Sequence, residues 1–329
     1  MFSLMLRKTL AMFVQPSEIE QISSVLIRCC QGASKVLIAD LSPVVCHDLI
    51  SDLAMKHKVM VRDHHKPDTG SELYDDVYEL IRARPLVDAL CVTRKNALAC
   101  AQLIDIGCIG DKDVIIAHAD GDGLFAALRA VGLTYVDLVE DAMRLDGPSY
   151  AAKLHLFSDI GQLFVRSTAV LQREDARGHQ EAYQLFVDML VGREAEKRLN
   201  VMALNHDVVV RDTLDVLDSM RISTVYDRRW AVLDVSNVSD KFDSHILQAT
   251  AVDLNADVLV VISTKGAIAS RLSTKQVIFT ALHDGIDLRE TVAEIPGRGP
   301  QHGIISNEPF RLHLSRELAV QLLPALFKE

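Results

Sequence analysis

Four short apolar runs recur along the first third of the chain, each closed by polar residues. They are "KVLIAD" (Lys35 to Asp40), "KVMVRD" (Lys58 to Asp63), "DALCVT" (Asp88 to Thr93) and "DVIIAHAD" (Asp113 to Asp120). Each is rich in Val, Ile or Leu and alternates little, as strands covered on both faces do. Between them the period changes. "PSEIEQISSVLIRCC" opens with a capping signature and then carries apolar residues at helical spacing. "VCHDLISDLAMKH" and "NALACAQLIDIG" show the same spacing. Strands alternating with helices predict an α/β domain built on a parallel, doubly wound sheet.

The pattern shifts after about Pro148. "AAKLHLFSDIGQLFVRSTAVLQ" and "HQEAYQLFVDMLVGREAEKRL" read as helices around the polar break "QREDARGHQ". A second, smaller α/β unit follows. Its strands are "RWAVLDVS" and "ADVLVVIST", with "SHILQATAVDLN" as the helix between them. "AIASRLSTKQ" reads as strand and turn, and "TALHDGIDLRETVAEI" as a helix running into the glycine-rich turn "PGRGPQHG". The expected organisation is a catalytic domain over 1–150, a helical connector over 151–198 and a second α/β domain over 199–329. The length of 329 residues also favours two domains over one core.

Composition narrows the function classes. The net charge is -10 and no dense Lys/Arg block occurs, which argues against long duplex nucleic acid as partner. A small anionic substrate in a local basic pocket is compatible with this charge. The six cysteines (Cys29, Cys30, Cys46, Cys91, Cys100, Cys108) form no C-x-x-C pair. That excludes a zinc ribbon and fits buried thiols in a reducing compartment. In "MFSLMLRKTLAMFV" the residues Arg7 and Lys8 interrupt the apolar run, and no stretch nears the ~20 apolar residues of a membrane span. A cytoplasmic protein is expected. Whether "VVCHDLI" and the apolar N-terminus form a homodimer face is open at this stage.

The chemistry concentrates where strands end. "VLIAD" ends in Asp40, and "VRDHHKP" holds Asp63, His64 and His65. "HADGDG" holds His118, Asp120 and Asp122, and Asp111 lies in "GCIGDKD" just before that strand. Singly, each has a plain structural explanation: a capping Asp40, a "DGDG" turn, a core histidine at position 118. Parallel strands, however, bring their C-terminal ends to one sheet edge. Four carboxylates gathered there do not all stay ionised without a cation. Oxygen-rich sets with some imidazole suit manganese, magnesium or iron rather than structural zinc.

These stretches resemble the motifs of the DHH phosphoesterases, with a second domain of the DHHA1 type, as in the oligoribonuclease and RecJ-like members. "VRDHHKP" resembles the motif that names the family, "VLIADLSP" and "CIGD" its aspartate motifs, and "HADGDG" its H-x-D-x-D-G motif. "SRLSTK" and "GRGPQHG" resemble its substrate-binding arginine segment and glycine-histidine loop. The resemblance runs from about Ser34 to Gly303. It implies two divalent metal ions, manganese first, with magnesium or iron as alternatives. His118 and Asp120 would hold one, Asp122, His64 and Asp111 the other, and Asp40 both. A metal-activated water would attack phosphorus, with His65 facing the phosphate and Asp63 orienting a histidine. Arg271, flanked by Ser270 and Ser273, would clamp an anion, and Gly297, Gly299, His302 and Gly303 would line the substrate loop.

Two departures from the family pattern stand out. The H-x-D-x-D-G motif normally precedes D-H-H, whereas here it follows, which implies a circular permutation. Pro300 and Gln301 separate Gly299 from His302. The implied activity is hydrolysis of short single-stranded RNA or DNA, or of dinucleotides, to mononucleotides. A 3'-phosphatase on phosphoadenosine phosphate and a non-catalytic nucleotide-binding module are the alternatives.

Overall fold

The computed structural model describes residues 1–66, 72–146, 155–168, 176–225, 227–235, 244–263, 276–283, 286–288, 290, 304–307 and 311–327. The chain divides into two compact units. One comprises Met1–Gly147 and Asp175–Leu199, the other Pro148–Glu174 and Asn200–Glu329.

The first unit starts with a hairpin of β1 (Phe2–Leu6) and β2 (Thr9–Val14). The order then runs α1 (Ile19–Cys29), β3 (Lys35–Ala39), α2 (Pro43–Leu53), β4 (Lys58–Lys66), α3 (Glu72–Arg82), β5 (Val87–Thr93), β6 (Val114–His118), α4 (Gly121–Ala130) and α5 (Leu138–Asp146). The strands form one sheet in the order β1-β2-β6-β3-β4-β5. Only the β1–β2 pair is antiparallel; β2, β6, β3, β4 and β5 run parallel.

The apolar runs form strands because both faces are covered. Val36, Leu37, Ile38 and Ala39 are all fully buried. On one face Met12, Val14, Val36, Ile38, Val59 and Val61 pack with Leu26, Leu49, Ile50 and Ile81 of α1, α2 and α3. On the other, α4 packs on β6, β2 and β3. Each aliphatic side chain so buried contributes roughly 1.5–3 kcal/mol.

The structure adds a hairpin that the sequence reading did not assign and changes one predicted helix. The "FSLML" stretch forms β1, with Phe2, Leu4 and Leu6 buried and Ser3 and Met5 exposed. Arg7, at φ 58°, turns the chain into β2, which adds a strand beside β6. "NALACAQLIDIG" forms only a 3-10 turn at Cys100–Leu103. The stretch 151–198, expected as a helical connector, holds two helices and the start of a third. Within it α6 (Asp159–Thr168) lies in the second unit and α7 (Ala176–Leu190) in the first. There Tyr183 meets the rings of Phe2 and Phe13 edge-on at 5.4 and 5.7 Å. A longer helix, α8 (Glu196–Leu217), follows. All six cysteines are free; Cys30, Cys46, Cys91 and Cys100 are buried, but Cys29 is exposed.

The second unit holds a mixed sheet of β7 (Arg221–Val225), β8 (Arg228–Asp234), β9 (Val258–Ser263), β10 (Gln276–Ala281), β11 (Ile304–Asn307) and β12 (Arg311–Ser315). Their order is β11-β12-β10-β9-β8-β7. Among the described strands of this unit only β8 and β9 pair in parallel, with α9 (Ser244–Asp253) between them in the chain. Thr280 and Ala281, read from sequence as the start of a helix, end β10 instead. Their neighbours Val277 and Phe279 are fully buried between β9 and β12. Arg271, Ser270, Ser273, Gly297, Gly299, His302 and Gly303 lie outside the described residues.

Candidate metal centre

Strands β6, β3 and β4 lie side by side in the sheet, so their C-terminal ends deliver His118, Asp40 and the Asp63–His65 run to one edge. Asp40 sits between the other two strand ends. Its N–H continues the ladder to the carbonyl of Arg62 at 2.9 Å. Its φ is then 59°, a left-handed conformation that Asp tolerates better than most residues. This turn aims a carboxylate into the buried edge. Such a residue costs ~1–2 kcal/mol and persists where its surroundings over-determine it.

Two consecutive histidines on a regular strand would point to opposite faces. Here they meet, with ring centroids 4.5 Å apart. The cause is a bulge: Asp63 pairs with Cys91 and Lys66 with Thr93, so three steps on β4 oppose two on β5. His64 is fully buried. Its Nδ1 lies 3.2 Å from the carbonyl of Ala97, which places a hydrogen on Nδ1 and turns Nε2 towards the carboxylates. Around that Nε2 stand Asp40 Oδ1 at 3.1 Å, Asp122 Oδ2 at 3.4 Å and Asp146 Oδ2 at 3.4 Å.

Asp63 is equally buried and acts on its neighbour. Its Oδ1 lies 2.8 Å from His65 Nδ1, and its Oδ2 accepts the His65 N–H at 3.1 Å. His65 Nε2 receives Arg94 Nη2 at 3.1 Å. Both ring nitrogens of His65 thus have protein partners in this structure.

The third strand end supplies the other side. His118 Nδ1 is 2.7 Å from Asp120 Oδ2 and 3.4 Å from Asp40 Oδ2. Asp120 caps α4, its Oδ1 accepting the Gly123 N–H at 2.9 Å. Asp122, in the first turn of α4, is buried and accepts N–H groups from Cys100 (2.7 Å) and Ala101 (3.3 Å) of the 3-10 turn. Gly123 is required by space. A methyl on its Cα would overlap the carbonyl oxygen of His118 and approach its N at 3.1 Å, all backbone atoms that cannot rotate away. Gly123→Ala is therefore expected to cost at least ~1–3 kcal/mol in chemical denaturation, and an unshifted midpoint would contradict this close packing.

Asp111 is not part of the cluster. It precedes β6, at the sheet edge opposite to His118, and its side chain is 63% exposed beside Lys8 at 3.4 Å. Asp146, the last residue of α5, takes the place expected for it. Sequence reasoning missed both Asp146 and its partner Arg94, whose Nη1 lies 2.6 Å from Asp146 Oδ2. Arg94 follows directly on β5, so collecting the end of the fourth parallel strand would have found it. Asp146 ends a helix, where the strand-end rule does not reach.

The ligand chemistry of this arrangement is testable on the atoms themselves. Among the described residues, three groups present ligand atoms within 4.8 Å of one another: Asp40/His64/His65, Asp40/His118/Asp120 and His64/Asp122/Asp146. Asp40 Oδ1 and His64 Nε2 are buried 3.1 Å apart without a well-formed hydrogen bond. Buried polar atoms are rarely left so, and these two face the middle of the cluster. Oxygen and imidazole donors without thiolate fit a hard or borderline divalent cation.

Without a cation, the cluster holds protons. Burial pushes the Asp40 carboxyl up, but the adjacent His118, His64 and His65 rings outweigh it and hold the group well below the ordinary range. Burial lowers His64, yet Asp40, Asp146 and Asp122 raise it to about 10. Burial likewise opposes the Asp120 and Asp40 carboxylates at His118, which is raised well above its ordinary value. Asp122 is pushed well up by burial and by the charges of Asp40 and Asp146. Asp146 rises to about 6 through burial, partly offset by Arg94 and His64. A histidine must be neutral to ligate. Cation uptake near pH 7.5 is thus expected to expel protons from His64 and His118, and to weaken as pH falls. Calorimetry in two buffers of different ionisation heat measures the release; identical heats would show that no proton leaves.

No family model and no curated protein matches the sequence. Among solved structures, the chain is similar to a pGpG-specific phosphodiesterase, PggH, from Vibrio cholerae, at 10% identity and a TM-score of 0.42, covering 89% of this chain and 97% of that one. It is similar to an exopolyphosphatase-related protein from Bacteroides fragilis at 8% identity and 0.40, over 94% and 75% of the two chains. It is also similar to an exonuclease RecJ bound to manganese at 12% identity and 0.41, over 96% and 77%. With TM-scores below 0.5, these likenesses assign neither a family nor an activity to this chain.

Proposed function

We propose that the chain is a metal-dependent phosphoesterase of the DHH type that hydrolyses short oligonucleotides or dinucleotides to mononucleotides. The observation that carries this reading is Asp40, buried between His64 and His118 and common to donor groups on both sides. In this reading His118, Asp120 and Asp40 hold one divalent cation. His64, Asp122, Asp146 and Asp40 hold the second, with manganese as first choice. Such ions supply a water of lowered pKa and polarise a phosphoryl oxygen. Asp63 and His65 act as support: the buried carboxylate fixes the imidazole, which in turn abuts Arg94. Arg271 is the proposed anion clamp, with Ser270 and Ser273 near it in sequence, and Gly297, Gly299, His302 and Gly303 are proposed to line the substrate loop.

The inverted motif order is read as a circular permutation. What supports it is that β6, last of the parallel strands in the chain, lies between β2 and β3, so His118 still meets Asp40.

The test is hydrolysis with manganese of three substrates: a 5'-phosphorylated RNA dinucleotide, a longer single strand and phosphoadenosine phosphate. Cleavage that a chelator abolishes, with preference for the dinucleotide, is expected. Preference for phosphoadenosine phosphate would make the protein a 3'-phosphatase. Bound metal with no cleavage of any would favour a binding module. Within the same assay Asp111→Asn is expected to be neutral, since exposed substitutions shift stability by only about ±0.5 kcal/mol. Asp146→Asn is expected to lose activity. Equal effects of the two variants would contradict this choice of ligand.

A further inference from the structure

The turn that follows β5 touches the candidate centre at three points. Within it the N–H groups of Asn96 and Ala97 bond back to the carbonyl of Thr93 at 2.9 and 3.1 Å. Its Ala97 carbonyl fixes the His64 ring through Nδ1 at 3.2 Å. Its Arg94 reaches two further side chains at once. Nη1 contacts Asp146 Oδ2 at 2.6 Å and the Asp146 carbonyl at 3.0 Å, while Nη2 faces His65 Nε2 at 3.1 Å.

The direction of these bonds is forced by the groups. A carboxylate only accepts and a guanidinium only donates. Asp63 Oδ1, at 2.8 Å, therefore takes a hydrogen from His65 Nδ1, and Arg94 gives one to the lone pair on Nε2. The order Arg94 to His65 to Asp63 is satisfied in one tautomer only. The second contact restrains Asp146. Its carboxylate lies at the C-terminal end of α5, where the helix dipole disfavours negative charge. It also sits beside the carboxylates of Asp40 and Asp122 around one imidazole nitrogen. The planar fork of a guanidinium spans both partners, which a lysine ammonium cannot do.

We propose that Arg94 is the positioning residue of this centre: it holds Asp146 against His64 and locks His65 in the Nδ1–H tautomer that faces Asp63. The role of Asp146 as a cation ligand rests on the function proposed above; the hold on His65 does not.

The test has two arms. The first is the imidazole nitrogen–proton spectrum of the metal-free protein at alkaline pH, with His65 assigned by the signals missing in His65→Gln. A single Nδ1–H tautomer is expected in the native chain and a mixture in Arg94→Gln. The second arm measures manganese affinity and steady-state kinetics. Loss of a group that orients a ligand weakens metal binding by about 10–100-fold, with kcat falling and KM moving by less than about two-fold. Arg94→Lys is expected to recover part of the manganese affinity through Asp146 but not the single tautomer. An Nε2–H tautomer in the native protein overturns the proposal, and needs no variant to fold. A variant that changes KM alone, with tautomer and affinity intact, also overturns it and makes Arg94 a substrate contact. If the native protein binds no manganese, the proposed function fails, while the spectrum still decides the hold on His65.

Discussion

Asp40→Asn is expected to abolish cation binding and hydrolysis while leaving a folded protein. Asparagine is the informative replacement because it, like aspartate, tolerates the left-handed backbone at φ 59°. The N–H bond to Arg62 is kept, so the strand end is not disturbed. What is lost is the charge common to both sides of the centre. His64 at 3.1 Å and His118 at 3.4 Å each lose their shared carboxylate partner. Loss of a group that merely orients a ligand costs about 10–100-fold in affinity or activity, and loss of the shared ligand itself is expected to cost at least that much. The measurement is the hydrolysis rate at saturating manganese, with circular dichroism to confirm the fold. A variant retaining more than about a tenth of native activity (less than ~1.4 kcal/mol) would remove Asp40 from the heart of the site.

Asp122→Ala combines a functional loss with a structural one. The carboxylate offers a ligand beside His64, and it also accepts the N–H groups of Cys100 and Ala101. Alanine leaves both donors buried without a partner, at about 1–3 kcal/mol for each group. An opposing effect exists: removing Asp122 relieves its crowding with Asp40 and Asp146. That crowding is already relieved in the cation-free chain by protonation, because Asp122 is raised well above its ordinary value. The orphaned donors therefore decide the sign, and a net loss of roughly 2 kcal/mol is expected. Manganese at a thousand times its Kd stabilises the native protein by about 4 kcal/mol and is expected to leave the variant's melting unchanged. A variant as stable as the native chain, or still protected by manganese, would contradict this placement.

The sheet and most of the centre were legible in the sequence because both follow from one rule. Runs such as "KVLIAD" and "DVIIAHAD" are apolar on both faces and end in ligating side chains, and parallel strands carry those ends to one edge. Asp40, His64, His118, Asp120 and Asp122 follow from that rule, and the structure brings them together. The rule fails where a residue reaches the edge by another route. Asp146 arrives at the end of a helix, and its pairing with Arg94 spans 52 positions that no local pattern links. Asp111 misled because it is close in sequence to His118 but lies at the other end of the strand. The "NALACAQLIDIG" stretch has helical spacing, yet its N–H groups at Cys100 and Ala101 bind Asp122, and only a 3-10 turn forms. A side chain distant in sequence there outweighs a local preference. The β1–β2 hairpin carried its signal openly, in the alternation of Phe2, Leu4 and Leu6 with Ser3 and Met5. Arg7, at φ 58°, belongs to the turn between the two strands.

The most direct test of the centre is the number of manganese ions held per chain, by equilibrium dialysis and elemental analysis of the native protein and Asp40→Asn. Two ions on the native chain and none on the variant is the result this arrangement of His118, Asp120, Asp40, His64, Asp122 and Asp146 predicts. No bound ion on the native chain, or two on the variant, would contradict it.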